Sequence, residues 1–321
     1  MEPADYEMAK AQGALVGHAH CGFGMEVRST ALPNYEIPQM DGIGTQEAIM
    51  DVTHGFTDFI SGVDTLPAAE LNAWYHMLNC GFRLALIGET DYPCIFGERP
   101  GLGRSYVRLD ERPIGNDGYE AWIRNLALGR LYCGDGRSHF LEWSVAGQSA
   151  GEQDVQLSHS GVVTVKALVA ARLDEKAHAN DVDPRPTPDP PEFGWNIEKA
   201  RIGQSRELPV ELIVNGQAVE QQRLLADGQP RLLRFSTKIE RSSWIALRIL
   251  PSAHTHPVFV EVAGKPIRAS KRSAQWCRQC VDKLWEVKSP MIRDSERPAA
   301  AEAYDHARQV YDRIIAECDQ V

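Results

Sequence analysis

Apolar and polar positions along this chain follow two different rhythms. Up to residue 139, short apolar runs alternate with helical periodicity: Ala14-Leu15-Val16 closed by Gly17, Ala48 to Val52, Asp58 to Val63, the helix-like Pro67 to Asn79, and Leu84-Ala85-Leu86-Ile87 closed by Gly88. Strand, helix, strand in succession predicts parallel α/β structure. Tyr119 to Leu128, with Trp122, Ile123 and Leu126 at helical spacing, predicts a further amphipathic helix. From Phe140 onward the pattern becomes short alternating strands: Phe140 to Val145, Val162 to Leu173, Glu211 to Val214, Leu232 to Ser236, and Trp244 to Leu250. Asn215-Gly216 between extended runs is a hairpin signal. Strands at such regular spacing predict an antiparallel β-sandwich.

Asp181 to Pro191 carries five prolines and reads as an exposed loop. After Pro298, the residues Ala303, Ala307, Val310, Tyr311, Ile314 and Ile315 recur every three or four positions, so Arg297 to Cys318 is expected to be an amphipathic helix packed on the body. The chain thus divides into an α/β segment, 1–139, a sandwich, 140–270, and a helical tail, 271–321.

Composition narrows the class. The formal charge of −10 opposes binding to nucleic acid, because a phosphate backbone needs a basic face. A local basic patch at Lys265 to Arg272 is compatible with that balance. No run of about twenty apolar residues exists, so no membrane span is expected. Met1 to Lys10 lacks the basic start and apolar core of a signal peptide, so the chain as written reads as cytoplasmic, or exported if a longer native N-terminus exists. The seven scattered cysteines fit reduced thiols better than a disulfide framework. Only Cys277 and Cys280 form a Cys-x-x-Cys. With no second pair they read as two reduced surface thiols rather than a zinc site.

Candidate chemistry sits where two apolar runs end. Gly17-His18-Ala19-His20 and Gly88-Glu89-Thr90-Asp91 place imidazoles and carboxylates at predicted strand C-termini, the rim where α/β active sites lie. Such groups can hold a divalent ion that lowers the pKa of bound water toward neutrality. His20 and Asp91 are the leading metal-ligand candidates. His18, His54 and Asp64 are secondary ones, His18 being also readable as a substrate contact or plain surface. Glu89, beside Asp91, reads as an ion-pair partner or a group acting behind the ligands. Arg104 and Arg130 could orient an anionic or carbonyl substrate by forked hydrogen bonds, or serve structural ion pairs. Asp135 and His139 follow a glycine-flanked turn that could border the same pocket. Glu89, Arg104 and His139 are therefore the catalytic candidates, and Arg130 and Asp135 the substrate-binding ones. Trp74-Tyr75-His76 reads as helix packing. Neither a Gly-x-Ser-x-Gly elbow nor a phosphate loop is present.

These segments together resemble a known family. Gln12-Gly13 to His20, Trp74 to His76, Leu78 to Arg83, Gly88 to Asp91, Gly101 to Tyr106 and Gly129-Arg130 to Asp135-Gly136 are similar, in order and spacing, to the later half of the CehA/McbA metallohydrolases of the PHP superfamily. The resemblance implies a partial PHP-type (β/α) barrel followed by an antiparallel sandwich and a C-terminal helix. It also implies a zinc, manganese or iron ion held by His20 and Asp91, and hydrolysis of a small-molecule ester, carbamate or phosphoester. Relatives carry an earlier His-x-His segment and further ligands that have no counterpart here. On that reading the chain holds about half of the barrel, and a partner chain or second copy would cover the exposed strand edges. The alternative is a non-catalytic remnant whose sandwich serves binding or assembly.

Overall fold

The structure is a computed structural model that describes residues 3–42, 44–63, 65–90, 101, 103–110, 117–177 and 195–319. The predicted Pro-rich loop, Asp64 and Asp91 lie outside the described residues. The first helix, α1 (Pro3–Ala11), has no counterpart in the apolar pattern. After it, β1 (Gly17–His18), β2 (Phe59–Gly62) and β3 (Ala85–Gly88) form a parallel sheet in the order β1-β2-β3. α2 (Ala48–Asp51), continued by a 3-10 turn over Val52–His54, joins β1 to β2, and α3 (Pro67–Asn79) joins β2 to β3. Pro67 suits the first turn of α3 because its missing N–H would have no partner there. From Ala69 to Asn79 every residue of this helix is buried, Trp74, Tyr75 and His76 included. Gly17 is needed at β1, since a Cβ there would run into the carbonyl and ring of Phe59 on the neighbouring strand.

The remainder is largely antiparallel. β4 (Arg104–Val107), β5 (Leu131–Gly134), β9 (Glu207–Val214), β10 (Gln217–Leu225), β12 (Ser243–Ile249) and β13 (Ala253–Thr255) hydrogen-bond in the order β10-β9-β12-β13-β5-β4. β14 (Val258–Val262) pairs with β12, and β7 (Val155–Leu157) pairs with β14, completing an eight-stranded sheet. β6 (Ser138–Val145), β8 (Gly161–Ala171) and β11 (Arg231–Ile239) make a second sheet in the order β11-β8-β6. The hairpin at Asn215-Gly216 joins β9 to β10, with both residues at positive φ. Thus β4 and β5, which follow the parallel strands in sequence, pair into the antiparallel sheet, and the described residues contain no closed barrel.

Alternation explains the sandwich core. Val163, Val165, Ala167 and Val169 of β8 point inward against Leu208, Val210 and Leu212 of β9 and Ile245, Leu247 and Ile249 of β12. β12 is buried at all seven positions because its other face, Trp244 and Ala246, packs into a second core shared with α3. A strand covered on both faces reads as a continuous apolar run. The helix expected around Trp122 is α4 (Asp117–Ala127), and the second core is closed by a helical hairpin of α5 (Lys271–Lys288) and α6 (Arg297–Glu317). Ser270 caps α5 by accepting from the Ser273 N–H.

One expectation is overturned here. Cys277 and Cys280 are fully buried rather than at the surface, on the inward stripe of α5 with Ala274, Trp276, Val281 and Leu284. A reduced cysteine packs as a small apolar group, and burial pushes the Cys280 thiol well above its ordinary range. In the Lys265 to Arg272 stretch two of the four cations are ion-paired, Arg268 with Glu317 at 2.6 Å and Lys271 with Asp319 at 2.6 Å, and Arg272 stacks over the Tyr35 ring at 3.8 Å. No helix among the described residues is long and apolar enough to cross a membrane.

Candidate functional site

The C-terminal edge of the parallel sheet gathers polar side chains from all three strands. His20, two residues past β1, holds a φ of 54°, a left-handed conformation that is costly for a residue with a Cβ. Its backbone N–H is tied down by Ser61 Oγ at 2.8 Å and Glu89 Oε1 at 2.9 Å. Its side-chain Nδ1 lies 3.2 Å from the same Glu89 oxygen. Ser61, on β2, donates its hydroxyl to Glu89 as well. Glu89 is itself positioned by extension of the ladder, its N–H donating to Gly62 O at 3.1 Å. Behind it Gly103 packs backbone to backbone, and a Cβ at Gly103 would collide with the Glu89 carbonyl. The neighbouring Gly88 N–H donates to Ser105 Oγ at 2.9 Å, so the start of β4 buttresses the end of β3.

Beneath this edge, Glu70 of α3 is fully buried. It accepts from Val63 N–H at 2.9 Å, Thr65 Oγ1 at 2.7 Å and Trp195 Nε1, joining the loop after β2 to the segment that leads into β9. Buried carboxylates need such complete solvation by donors. Thr45 Oγ1 donates to Ala19 O and Cys21 Sγ to His18 O at 3.3 Å, holding the turn that presents His20.

The donor arrangement was compared with what an ion requires. Two ligand atoms each about 2.1 Å from one metal, subtending about 90–110°, stand about 3.0–3.4 Å apart. The 3.2 Å between His20 Nδ1 and Glu89 Oε1 falls in that interval. Among the described residues no group of three or more His, Cys, Asp or Glu converges to hold a metal. The chain positions that directly follow β2 and β3, Asp64 and Asp91, lie outside the described residues. The same oxygen already accepts from the His20 N–H and the Ser61 hydroxyl, and 3.2 Å is equally the length of an imidazole–carboxylate ion pair.

The other candidates are placed elsewhere. His18 points away from His20 and is buried, its Nε2 3.1 Å from Asp51 Oδ2 and 3.4 Å from Tyr6 Oη. Burial, then the Asp51 carboxylate, pushes the Tyr6 phenol well above its usual range. His54 lies under α6, its Nε2 3.1 Å from Ala303 O and its ring stacked against Phe56 and 4.4 Å from His306. Burial lowers its pKa. Asp135 is buried and accepts from the N–H groups of Arg137 and Ile197 and from Ser252 Oγ, at 2.9, 2.7 and 2.9 Å. Its carboxylate stitches the turn after β5 to two distant segments. Arg130 is committed to Asp110 at 2.7 Å and Asn125 at 3.1 Å, and Arg104 to the Gly101 carbonyl. His139 on β6 bonds Tyr132 Oη at 2.9 Å, and burial, then the nearby Arg104 cation, lowers its pKa.

Sequence reasoning missed Ser61 and Glu70. Both carried a signal. Ser61 is the polar residue inside the apolar run Phe59-Ile60-Ser61-Gly62, and Glu70 is the one charged carboxylate on α3. No family model matches the chain, and comparisons with curated proteins and with solved structures found no match either.

Proposed function

We propose that this chain is a metal-dependent hydrolase of the PHP/CehA type, acting on an ester, carbamate or phosphoester at the C-terminal edge of β1–β3. His20, Glu89 and Asp91 would hold a divalent ion, zinc, manganese or iron. Such an ion, when bound, supplies Lewis-acid polarisation and a nucleophilic water near neutral pH. Ser61 and the His20 backbone N–H fix one oxygen of Glu89, which orients the carboxylate toward the imidazole. The strained φ of His20 holds that imidazole at the strand end, where ligands of open α/β sheets bind. The observation that carries the reading is the approach of His20 Nδ1 to Glu89 Oε1 at the ends of β1 and β3, the two parallel strands that flank β2.

Elemental analysis of the purified chain tests it, comparing wild type with His20→Ala, Glu89→Gln and Asp91→Ala. Near-stoichiometric metal in wild type that falls at least tenfold in each variant is expected, with hydrolysis of an aryl ester, carbamate or phosphoester lost in parallel. Equal metal content in wild type and all three variants, together with no turnover in zinc or manganese, refutes the reading.

A further inference from the structure

Of the described non-glycine residues at positive φ, Val63 alone is β-branched. It follows β2 at a φ of 83°, in the left-handed region where a branched side chain crowds its own backbone. Such a conformation is costly and persists only where the surroundings impose it. Two buried residues do so here. The Val63 N–H donates to Glu70 Oε1 at 2.9 Å, and the Val63 carbonyl accepts from the Trp195 N–H at 3.1 Å. The Trp195 indole donates to that same Glu70 oxygen, so the three residues close a ring of hydrogen bonds around the end of β2.

The same carboxylate underlies both halves of the His20–Glu89 pair. On one side Glu70 packs against Gly62, where a Cβ would sit 3.3 Å from its carboxyl carbon, and the Gly62 carbonyl is the acceptor that anchors the Glu89 N–H at 3.1 Å. On the other side Glu70 Oε2 accepts from Thr65 Oγ1 at 2.7 Å, and a Cβ at Gly22 would collide with that hydroxyl. Gly22 belongs to the turn that presents His20, closed by the Phe23 N–H donating to the His20 carbonyl at 3.0 Å. Glu70 thus reaches Glu89 through Gly62, and His20 through Thr65 and Gly22. Its place in the first turn of α3 favours the ionised carboxylate, because the helix dipole is positive there. Burying that charge is still expensive, and packing alone would favour an apolar side chain.

We propose that Glu70 is a positioning residue of the hydrolytic edge: its carboxylate fixes the end of β2 and the turn after β1, so that His20 and Glu89 hold their spacing before any ion arrives, and Trp195 makes that spacing depend on the segment that leads into β9. This role rests on the metal-hydrolase reading, because the spacing it fixes is that of two proposed ligands.

The test is amide hydrogen exchange of the metal-free full chain, followed by zinc affinity measured in competition with a chromophoric chelator. The amides read are those of His20 and Glu89, with Val165 of β8 and Leu247 of β12 as references in the sandwich. Thr65→Val keeps the side-chain volume and deletes one donor to Glu70. It should speed exchange at His20 and Glu89 about tenfold, leave Val165 and Leu247 unchanged, and raise the zinc Kd about tenfold, as removing a group behind a metal ligand does. Trp195→Phe should shift the same two amides and spare the references. Glu70→Gln, whose amide oxygen can accept from Val63 and Trp195 while its NH2 donates to Thr65 Oγ1, should stay within about threefold of wild type in both measurements. Glu70→Ala should exceed the Thr65→Val effect; if it fails to fold, Thr65→Val and Trp195→Phe carry the decision. Val210→Ala, in the sandwich core, lowers stability without touching this network and should leave the zinc Kd unchanged. Equal acceleration at edge and reference amides, unchanged exchange and zinc affinity in Thr65→Val, or a loss of zinc affinity in Val210→Ala as large as in Thr65→Val overturns the proposal. If the wild type binds no zinc, the hydrolase reading fails, and the exchange data alone decide whether Glu70 holds this edge.

Discussion

Acid should unfold this protein well above the pH at which its carboxylates titrate, because three histidines are buried neutral. His76, His254 and His256 are 0%, 1% and 9% exposed. Hydrogen bonds assign the first two. His76 donates from Nε2 to Asn34 O at 2.6 Å and accepts at Nδ1 from Ser273 Oγ at 2.9 Å. His254 donates from Nδ1 to Thr255 O at 2.7 Å and accepts at Nε2 from Tyr75 Oη at 2.7 Å, while Arg248 donates to the same phenol at 3.1 Å. A proton added to either ring would meet a donor. Burial, then a nearby cation for each, lowers the pKa to about 3 for His76 and His254 and to about 4 for His256.

The sign follows directly. In the unfolded chain these imidazoles titrate near 6.5, so between about pH 7 and 5 the unfolded state takes up protons that the folded state refuses. The stability they contribute is present above pH 6.5 and is lost as pH falls toward the folded values. Integrated from pH 7 to 5, each histidine removes about 2 kcal/mol, and the three together about 6 kcal/mol. That is comparable to the whole stability of many domains, about 5–15 kcal/mol. The result is insensitive to the folded values as long as they stay below pH 5. His54 and His139, also held low by burial, add proton uptake of the same sign, and the lowered carboxylates Glu152, Asp227, Glu240 and Asp282 add a little more near pH 5. Urea denaturation followed by tryptophan fluorescence at half-unit steps from pH 7 to 5 measures the effect. The expected slope near pH 5 corresponds to at least three protons, about 4 kcal/mol per pH unit or more, and His76→Gln should remove about one of them. A slope below one proton, or an unchanged slope in His76→Gln, would refute the argument.

Two further outcomes test the buried polar groups. Tyr75→Phe removes the hydroxyl that bridges Arg248 and His254, leaving His254 Nε2 without its partner and Arg248 with Glu211, and should lower the unfolding free energy by about 2–4 kcal/mol in urea at pH 7. Asp135→Asn would turn an amide donor toward the donors on Arg137, Ile197 and Ser252, and should cost about 3 kcal/mol in the same assay. A midpoint shift of a few tenths of a molar or less for Asp135→Asn would mean that the carboxylate does not staple these segments.

Much of the architecture was legible in the chain because it depends on local periodicity. β8 alternates at every second position, the Asn215-Gly216 turn accepts the positive φ that a tight hairpin needs, and α6 repeats its apolar residues every three or four positions. Gly88 ends β3 as the apolar run before it predicts, whereas β1 begins at Gly17, where the run Ala14-Leu15-Val16 was expected to end, so the first strand lies later than its pattern. What local pattern could not supply was pairing between distant segments. β4 and β5 are four residues each, and they join the large sheet through β13, whose register matches Ala253 to Gly134 across more than a hundred residues of sequence. Cys277 and Cys280 sit on a helix whose inward face is set by α3 and α6, so a thiol pair that looks polar in sequence is sealed in a core.

The sequence alone determined which residues could do chemistry and that they close strands of a parallel unit. Only the tertiary structure decided which of them meet. Glu89, expected as an ion-pair partner or a group acting behind the ligands, touches His20 because the left-handed turn at His20 folds the chain back over β2 and β3. His18, His54 and Asp135 were drawn instead into buried hydrogen-bonded positions on other elements. A side chain's type is a local property, but its partners depend on crossings between segments far apart in the chain, and burial then decides which of those meetings must be satisfied.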